Sequence, residues 1–189
     1  SAPVNSIFHI FNLTSLVWHV IIYTSSEGKE VMVMKSSYID RAIKFLDMIL
    51  PDIEGYMMSP EEVANIIECY NMVHHRHVRV CNGASRIALV TSDYVIKWDY
   101  NKRGVKCWGG NAQEVEIYKI AEKAGYSYLF AELTSVWRNG ILFNIMPRFA
   151  IGGHKRPIYE KISNKEWRWL NSHVWDIHDG NYAMVKGKP

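Results

Sequence analysis

In the segment Asp176-Ile-His178-Asp-Gly180-Asn181, an aspartate and an asparagine five positions apart are the residues of this chain best suited to chemistry. A carboxylate there can accept or orient a hydroxyl proton and an amide can ligate a metal, and a tight loop of that length turns both side chains toward one phosphate. Upstream, Lys97 ends the run Tyr94-Val95-Ile96-Lys97, and Glu114 stands near the start of the next helical pattern. An ammonium on a strand can hold anionic oxygens, and a carboxylate on a neighbouring helix can orient it. Each residue also has a plainer reading. Lys97 could snorkel to solvent, Glu114 could only cap its helix, and Asp176 and Asn181 are the side chains any tight loop recruits. Glu116 competes with Glu114, but at ~100° per residue it turns away from the Ile117, Ala121 and Ala124 stripe.

The elements that must position these residues follow from patterning. Residues 8–34 are dense in β-branched and aromatic side chains, and Ser25-Ser26-Glu27-Gly28-Lys29 between two apolar runs predicts a small strand pair. Apolar positions at Ile39, Ala42, Ile43, Leu46 and Leu50 predict a helix ended by Pro51. Ser59-Pro-Glu-Glu opens a second helix with a serine cap and proline at the first helical position. Strand-like runs at 78–90 and 94–98 precede a glycine-containing basic loop. A helix from Asn111 follows, where Asn111-Ala-Gln-Glu114 has the capping-box spacing, and Gly125 closes it. Two further strands, at 130–136 and 140–145, flank Asn139-Gly140, a strong hairpin signal. A short Trp-rich helix begins near Asn164. The chain thus divides into an α+β accessory segment at 1–77, a sheet-and-helix unit at 78–149, and a third part at 150–189.

The segment 176–181, with Tyr-Ala-Met-Val-Lys-Gly-Lys-Pro after it, resembles the catalytic loop and following hairpin of aminoglycoside-phosphotransferase-type kinases and of bacteriophage-encoded serine/threonine kinases. The resemblance covers about residues 80–189. Tyr94-Val95-Ile96-Lys97 is similar to the strand whose lysine pairs the nucleotide phosphates, and Glu114 lies where its partner glutamate belongs. The resemblance implies an α+β fold: a protein-kinase-like N-terminal lobe of antiparallel sheet plus one main helix, and the start of a helical C-terminal lobe. It implies ATP and magnesium as cofactors, with Asp176, Lys97 and Glu114 catalytic and Asn181 on the metal. Gly83, Ser85, Arg86, Lys97 and Met146 would meet the nucleotide. Asn144-Ile-Met-Pro-Arg148 would be the hinge between lobes.

The chain departs from that pattern in three places. Asn82-Gly83-Ala84-Ser85-Arg86 has one glycine where the phosphate loop of protein kinases has three, and Val174 stands where a histidine usually precedes the catalytic aspartate, with His173 next to it. The metal-binding aspartate that should join Asn181 would follow Lys188-Pro189, so residues 1–189 are expected to bind ATP weakly, gain little from magnesium and show no turnover. The implied activity is phosphoryl transfer to a protein Ser/Thr hydroxyl, with a protein substrate or host protein as partner. Alternatives are a non-catalytic kinase-fold binding module, a small-molecule phosphotransferase, and a nucleic-acid binder using Lys97, Lys102, Arg103, Lys106, Trp98 and Trp108.

Composition bounds these readings. At 189 residues with 48% hydrophobic side chains the chain can bury a substantial core. A surplus of 22 basic over 19 acidic residues gives +3, too small and too scattered for a polybasic tail. Cys69, Cys81 and Cys107 form no CxxC pair, which suits a reducing cytoplasm, that of the host if the protein is phage-encoded. The most apolar stretch, residues 13–23, falls short of the ~18 residues a spanning helix needs. His74, His75, His77 and Cys81 invite a metal, but adjacent helix positions do not share a face.

Overall fold

Alternation along the middle strand sets the architecture. In β4 (Tyr94–Asp99), Tyr94, Ile96 and Trp98 enter a large apolar core, while Val95, Lys97 and Asp99 take the opposite face. The structure, a computed structural model, describes residues 20–24, 31–53, 58–83, 85–100, 110–149, 162–174 and 182–186. A five-stranded antiparallel sheet runs in the order β2-β3-β4-β6-β5, with β2 at Arg79–Asn82, β3 at Arg86–Val90, β5 at Thr134–Arg138 and β6 at Ile141–Pro147. Helix α3 (Asn111–Ala124) connects β4 to β5. Asn139 and Gly140 take the left-handed conformation, φ 48° and 77°, that a two-residue hairpin between twisted strands requires.

Helices α1 (Val31–Ile49) and α2 (Pro60–His74) share the core with one face of this sheet. Ala42, Phe45, Leu46 and Ile49 of α1 and Val63 and Ile67 of α2 pack with Ile87, Leu89, Ile96, Trp98, Phe143 and Ile145. Residues of α1 and α2, within the expected accessory segment, therefore pack into the sheet's own core. Two exposed ion pairs, Arg41–Asp93 at 2.8 Å and Arg138–Asp47 at 2.9 Å, bridge α1 to the sheet and fix its orientation more than its stability. Ser59 caps α2 with a complete capping box. In its last turn, Asn71 exchanges two side-chain hydrogen bonds with the backbone of Val78, which leads the chain into β2.

Three expectations are corrected. The strand pair at 8–34 is not what forms: β1 (Val20–Thr24) pairs parallel with β7 (Tyr182–Lys186), and Val31 to Met34 are the first residues of α1. Methionine is a good helix former and valine costs well under ~1 kcal/mol, so these residues extend the amphipathic helix. The intervening residues 25–30 lie outside the described part. The run 78–90 is broken into β2 and β3, because the Gly83 amide donates to the Arg86 carbonyl at 2.8 Å and closes a tight turn. Asn144 and Met146 lie within β6, paired with Lys97 and Val95, so the hinge cannot begin before Arg148. Among the described residues no helix is long and apolar enough to cross a membrane.

A fourth correction concerns the start of α3. The capping box does not form: Gly110 is the N-cap, and the Asp99 carboxylate accepts from the Asn111 amide at 3.0 and 3.2 Å. This places a negative charge on the positive end of the helix. A Cβ on Gly110 would lie 1.8 Å from the Asp99 carboxylate, so glycine here is a matter of space. Gly110→Ala is expected to cost about 2–3 kcal/mol by urea denaturation, from strain plus the lost cap. In an Asp99→Ala background most of that cost should vanish; an unchanged cost there would show that the carboxylate is not what the methyl displaces.

Candidate functional site

Register assembles the site. Lys97 pairs with Ala88 of β3 on one side and with Asn144 of β6 on the other, and Asn144 pairs with Ser135 of β5. This row crosses the face of the sheet that α3 covers. Glu114, one turn into α3, comes down on it: its Oε1 accepts from Lys97 Nζ at 2.6 Å, and Asn144 Nδ2 donates to its Oε2 at 2.8 Å. The structure thus brings Lys97 and Glu114 together as the sequence suggested, each only 3% exposed. Arg86, at the start of β3, adds a second cation, with Nη1 3.5 Å from Glu114 Oε2. That separation is an ion pair without a hydrogen bond, and this buried Nη1 has no hydrogen-bond partner.

Backbone carbonyls fix the helix end. Asn111 Nδ2 donates to the carbonyls of Lys97 at 2.6 Å and Leu142 at 2.8 Å, and Asn144 Nδ2 donates to the Asn111 carbonyl at 3.1 Å. Sequence reading singled out Asn111 as a cap and Asn144 as a hinge residue, and missed Ser135 and the capping role of Asp99. The available signal was polar side chains inside otherwise apolar strands: Asn144 is fully buried in Ile-Leu-Phe-Asn-Ile-Met, and a buried amide requires partners.

Burial is the largest influence on each charged group and disfavours its charge. For Lys97 it prevails: the amine falls from 10.5 to about 8, with Arg86 adding to the drop and Glu114 opposing it. Burial also raises the Glu114 carboxyl, but the charges of Lys97 and Arg86 and the bonds from Lys97 and Asn144 together hold it below its ordinary 4.5. Asp99 is raised by burial and by nearby Glu114, against the Asn111 amide and Arg86.

The other expected residues divide. Gly83 and Ser85 form the β2–β3 turn, where Tyr100 donates its amide to the Ser85 carbonyl at 3.0 Å. Met146 lies on the Lys97 face in a small apolar cluster with Val95 and Ala131, flanked by Ala88, Val90, Leu133 and Phe149. Asp176, His178 and Asn181 lie outside the described residues. The segment before them is placed: α4 (Asn164–His173), capped by Ser163 and Glu166, buries Leu170 and Val174 against Ile117, Ala121, Leu129 and Phe130. Val174 is a packing residue, and His173 stacks on Trp169 at 4.4 Å. Lys97 and Trp98 are buried on opposite faces of β4, so they cannot join a basic-aromatic surface for nucleic acid; Lys102, Arg103, Lys106 and Trp108 lie outside the described residues. Among the described residues no group of three or more His, Cys, Asp or Glu could hold a metal.

The charges set a pH dependence. Glu114 is depressed in the folded state, so its contribution to stability is present above pH 4.5 and is lost as pH falls through the lower folded value. Glu114→Gln should flatten the acid side of the stability curve, read by urea denaturation at stepped pH; an unchanged acid slope would place the protonation elsewhere. At neutral pH, Glu114→Leu should cost about 3–5 kcal/mol, because two buried cations lose their counter-charge. Lys97→Met should cost less, since Arg86 and Asn144 still face the carboxylate.

No protein-family model matches the chain, and no curated protein or solved structure matches it either, so the site's own geometry carries its reading.

Proposed function

We propose that this chain carries the nucleotide-binding half of a protein-kinase-like phosphotransferase, which moves the γ-phosphoryl group of ATP to a protein Ser/Thr hydroxyl. The observation that carries the proposal is the buried Lys97–Glu114 pair, 2.6 Å long, between the middle strand and the helix that follows it. A buried ion pair is a poor stabiliser: well-packed apolar replacements are often neutral or better by ~1–4 kcal/mol. Two cations against one carboxylate at the sheet face suit a site that receives anionic phosphate better than one that only packs.

Three further features support the reading. An antiparallel sheet with one main helix between its middle strand and its last two has the form the resemblance implies for an N-terminal lobe. Next to Lys97 on its own face, Val95, Met146 and Ala131 form an apolar bed of the kind a flat purine can lie on. The unpartnered Nη1 of Arg86 is a donor that a phosphate oxygen would satisfy. Lys97 would hold α/β-phosphate oxygens, Glu114 would orient Lys97, and the turn of Gly83 and Ser85 would lie above them. Asp176 would take the hydroxyl proton as the acceptor oxygen bonds to the γ-phosphorus and the bond to the bridging oxygen of ADP breaks. Asn181 would ligate magnesium, which supplies neutralisation of phosphate charge when bound.

A second reading has its own observation. Lys97 is 3% exposed, as a purely structural staple between sheet and helix would be. Titration calorimetry with ATP, with and without magnesium, separates the two. The nucleotide reading expects saturable binding that Lys97→Met weakens at least about tenfold, the loss of roughly one charge-assisted contact. Absence of ATP binding by the folded wild type leaves the staple. For the full-length gene product, Asp176→Asn should lower phosphate transfer by about 10²-fold or more while nearly preserving ATP affinity. Equal turnover would remove Asp176 from the mechanism.

A further inference from the structure

The amide of Asn144 is fully buried and every hydrogen-bonding group on it is used. Its Oδ1 accepts from the Ser135 hydroxyl at 2.8 Å, and its Nδ2 donates to Glu114 Oε2 at 2.8 Å and to the Asn111 carbonyl at 3.1 Å. These partners fix which way round the amide lies: flipped, its oxygen would face a carboxylate and a carbonyl, two acceptors, with no proton between. Asn144 is thus an obligatory donor toward Glu114, and the Ser135 hydroxyl holds it as one.

A glutamate carboxylate turns easily about its last torsion, which is broad and two-fold. In this cluster it has a choice of cations, Lys97 on β4 and Arg86 on β3. Arg86 lies on the Oε2 side at 3.5 Å, so a carboxylate released at Oε2 can rotate toward the guanidinium and away from the amine. Asn144 occupies Oε2 from the opposite strand. We propose that Asn144 is a positioning residue, and that Ser135, through Asn144, locks the Glu114 carboxylate so that Oε1 stays on Lys97 and the amine keeps one direction at the sheet face. The functional weight of this proposal rests on the nucleotide reading; the geometry does not.

Among the described residues the charges that act on Lys97 include Glu114 on α3 and Arg86 on β3, with Asp99 two positions along its own strand and Asn144 its neutral neighbour on β6. If the carboxylate turns toward Arg86, the favourable charge of Glu114 on Lys97 weakens while the amine remains buried, and its titration moves further down.

The test follows the Lys97 amine itself, by ¹⁵N–¹³C NMR titration of lysine side chains in the 189-residue chain, with Lys97→Arg assigning the signal. Asn144→Leu should lower the Lys97 pKa by about one unit or more, on the scale of one lost charge-assisted hydrogen bond, and Ser135→Ala should lower it by less. ATP affinity at pH 7.5 should fall in the same order. If Asn144→Leu does not fold, Ser135→Ala decides alone. A Lys97 titration unmoved in every variant that folds would overturn the proposal and leave Asn144 as a simple tie to the Asn111 carbonyl. A shifted titration in a protein whose wild type binds no ATP would uphold the positioning role and discard the nucleotide reading.

Discussion

Everything on the α3 face of the sheet answers to the burial of one carboxylate beside two cations. Removing such ions from water costs several kcal/mol each, and their attraction offsets this only when the remaining donors and acceptors are also satisfied. The surrounding polar groups do that. Lys97 and Asn144 occupy both oxygens of Glu114, Ser135 completes Asn144, and Asn111 satisfies two strand carbonyls that the helix would otherwise cover. The unsatisfied remainder in this cluster is one donor, Arg86 Nη1, and one acceptor, Asn111 Oδ1. A half-satisfied network is a poor core.

How much of this was legible in the sequence depended on the range of the cause. Local causes read well. Ser59 and Ser163, each three residues before a glutamate, cap α2 and α4, and Asn139-Gly140 makes the hairpin it signals. The pairing of Lys97 with Glu114 was legible only through the resemblance, which supplied the motif order, while helix phase chose Glu114 over Glu116. Long-range causes did not read. Asn111 has the form of a cap and is used as a bridge to β4 and β6, while the cap comes from Asp99, twelve positions back. Nothing in the Asn111 spacing records that β4 ends beside the helix it precedes. Asn144 was placed at a hinge by the resemblance alone. It lies inside β6, whose ladder with β4 runs on to the pair Tyr94 and Pro147. The start of α1 was missed because Val-Met-Val-Met satisfies strand and helix alike until the following turns decide.

The opposite face shows why the first helices matter to a site they never touch. Ile87, Leu89, Ile96, Trp98, Phe143 and Ile145 sit on the same strands as the site residues and would be an exposed apolar sheet without α1 and α2. Burying them fixes the register of β3, β4 and β6. A one-residue slip would exchange the faces, placing Lys97 in the apolar core and Trp98 against Glu114. The apolar face therefore specifies the polar one.

Helix α3 divides its attachments in the same way along its length. Its buried residues are Asn111 and Glu114 in the first turns and Ile117 and Ala121 beyond them. The first pair bonds to the sheet, and the second packs against Leu170 and Val174, at the end of α4 and just before Asp176. Apolar contacts tolerate small slides, whereas hydrogen bonds at 2.6–2.8 Å from Asn111 and Glu114 to β4 and β6 do not. The helix is thus pinned in direction and depth at its polar end and held by area at its apolar end. A displacement of α4 reaches Glu114 only through that pinned end. The polar cluster then resists it, and Lys97 keeps its partner.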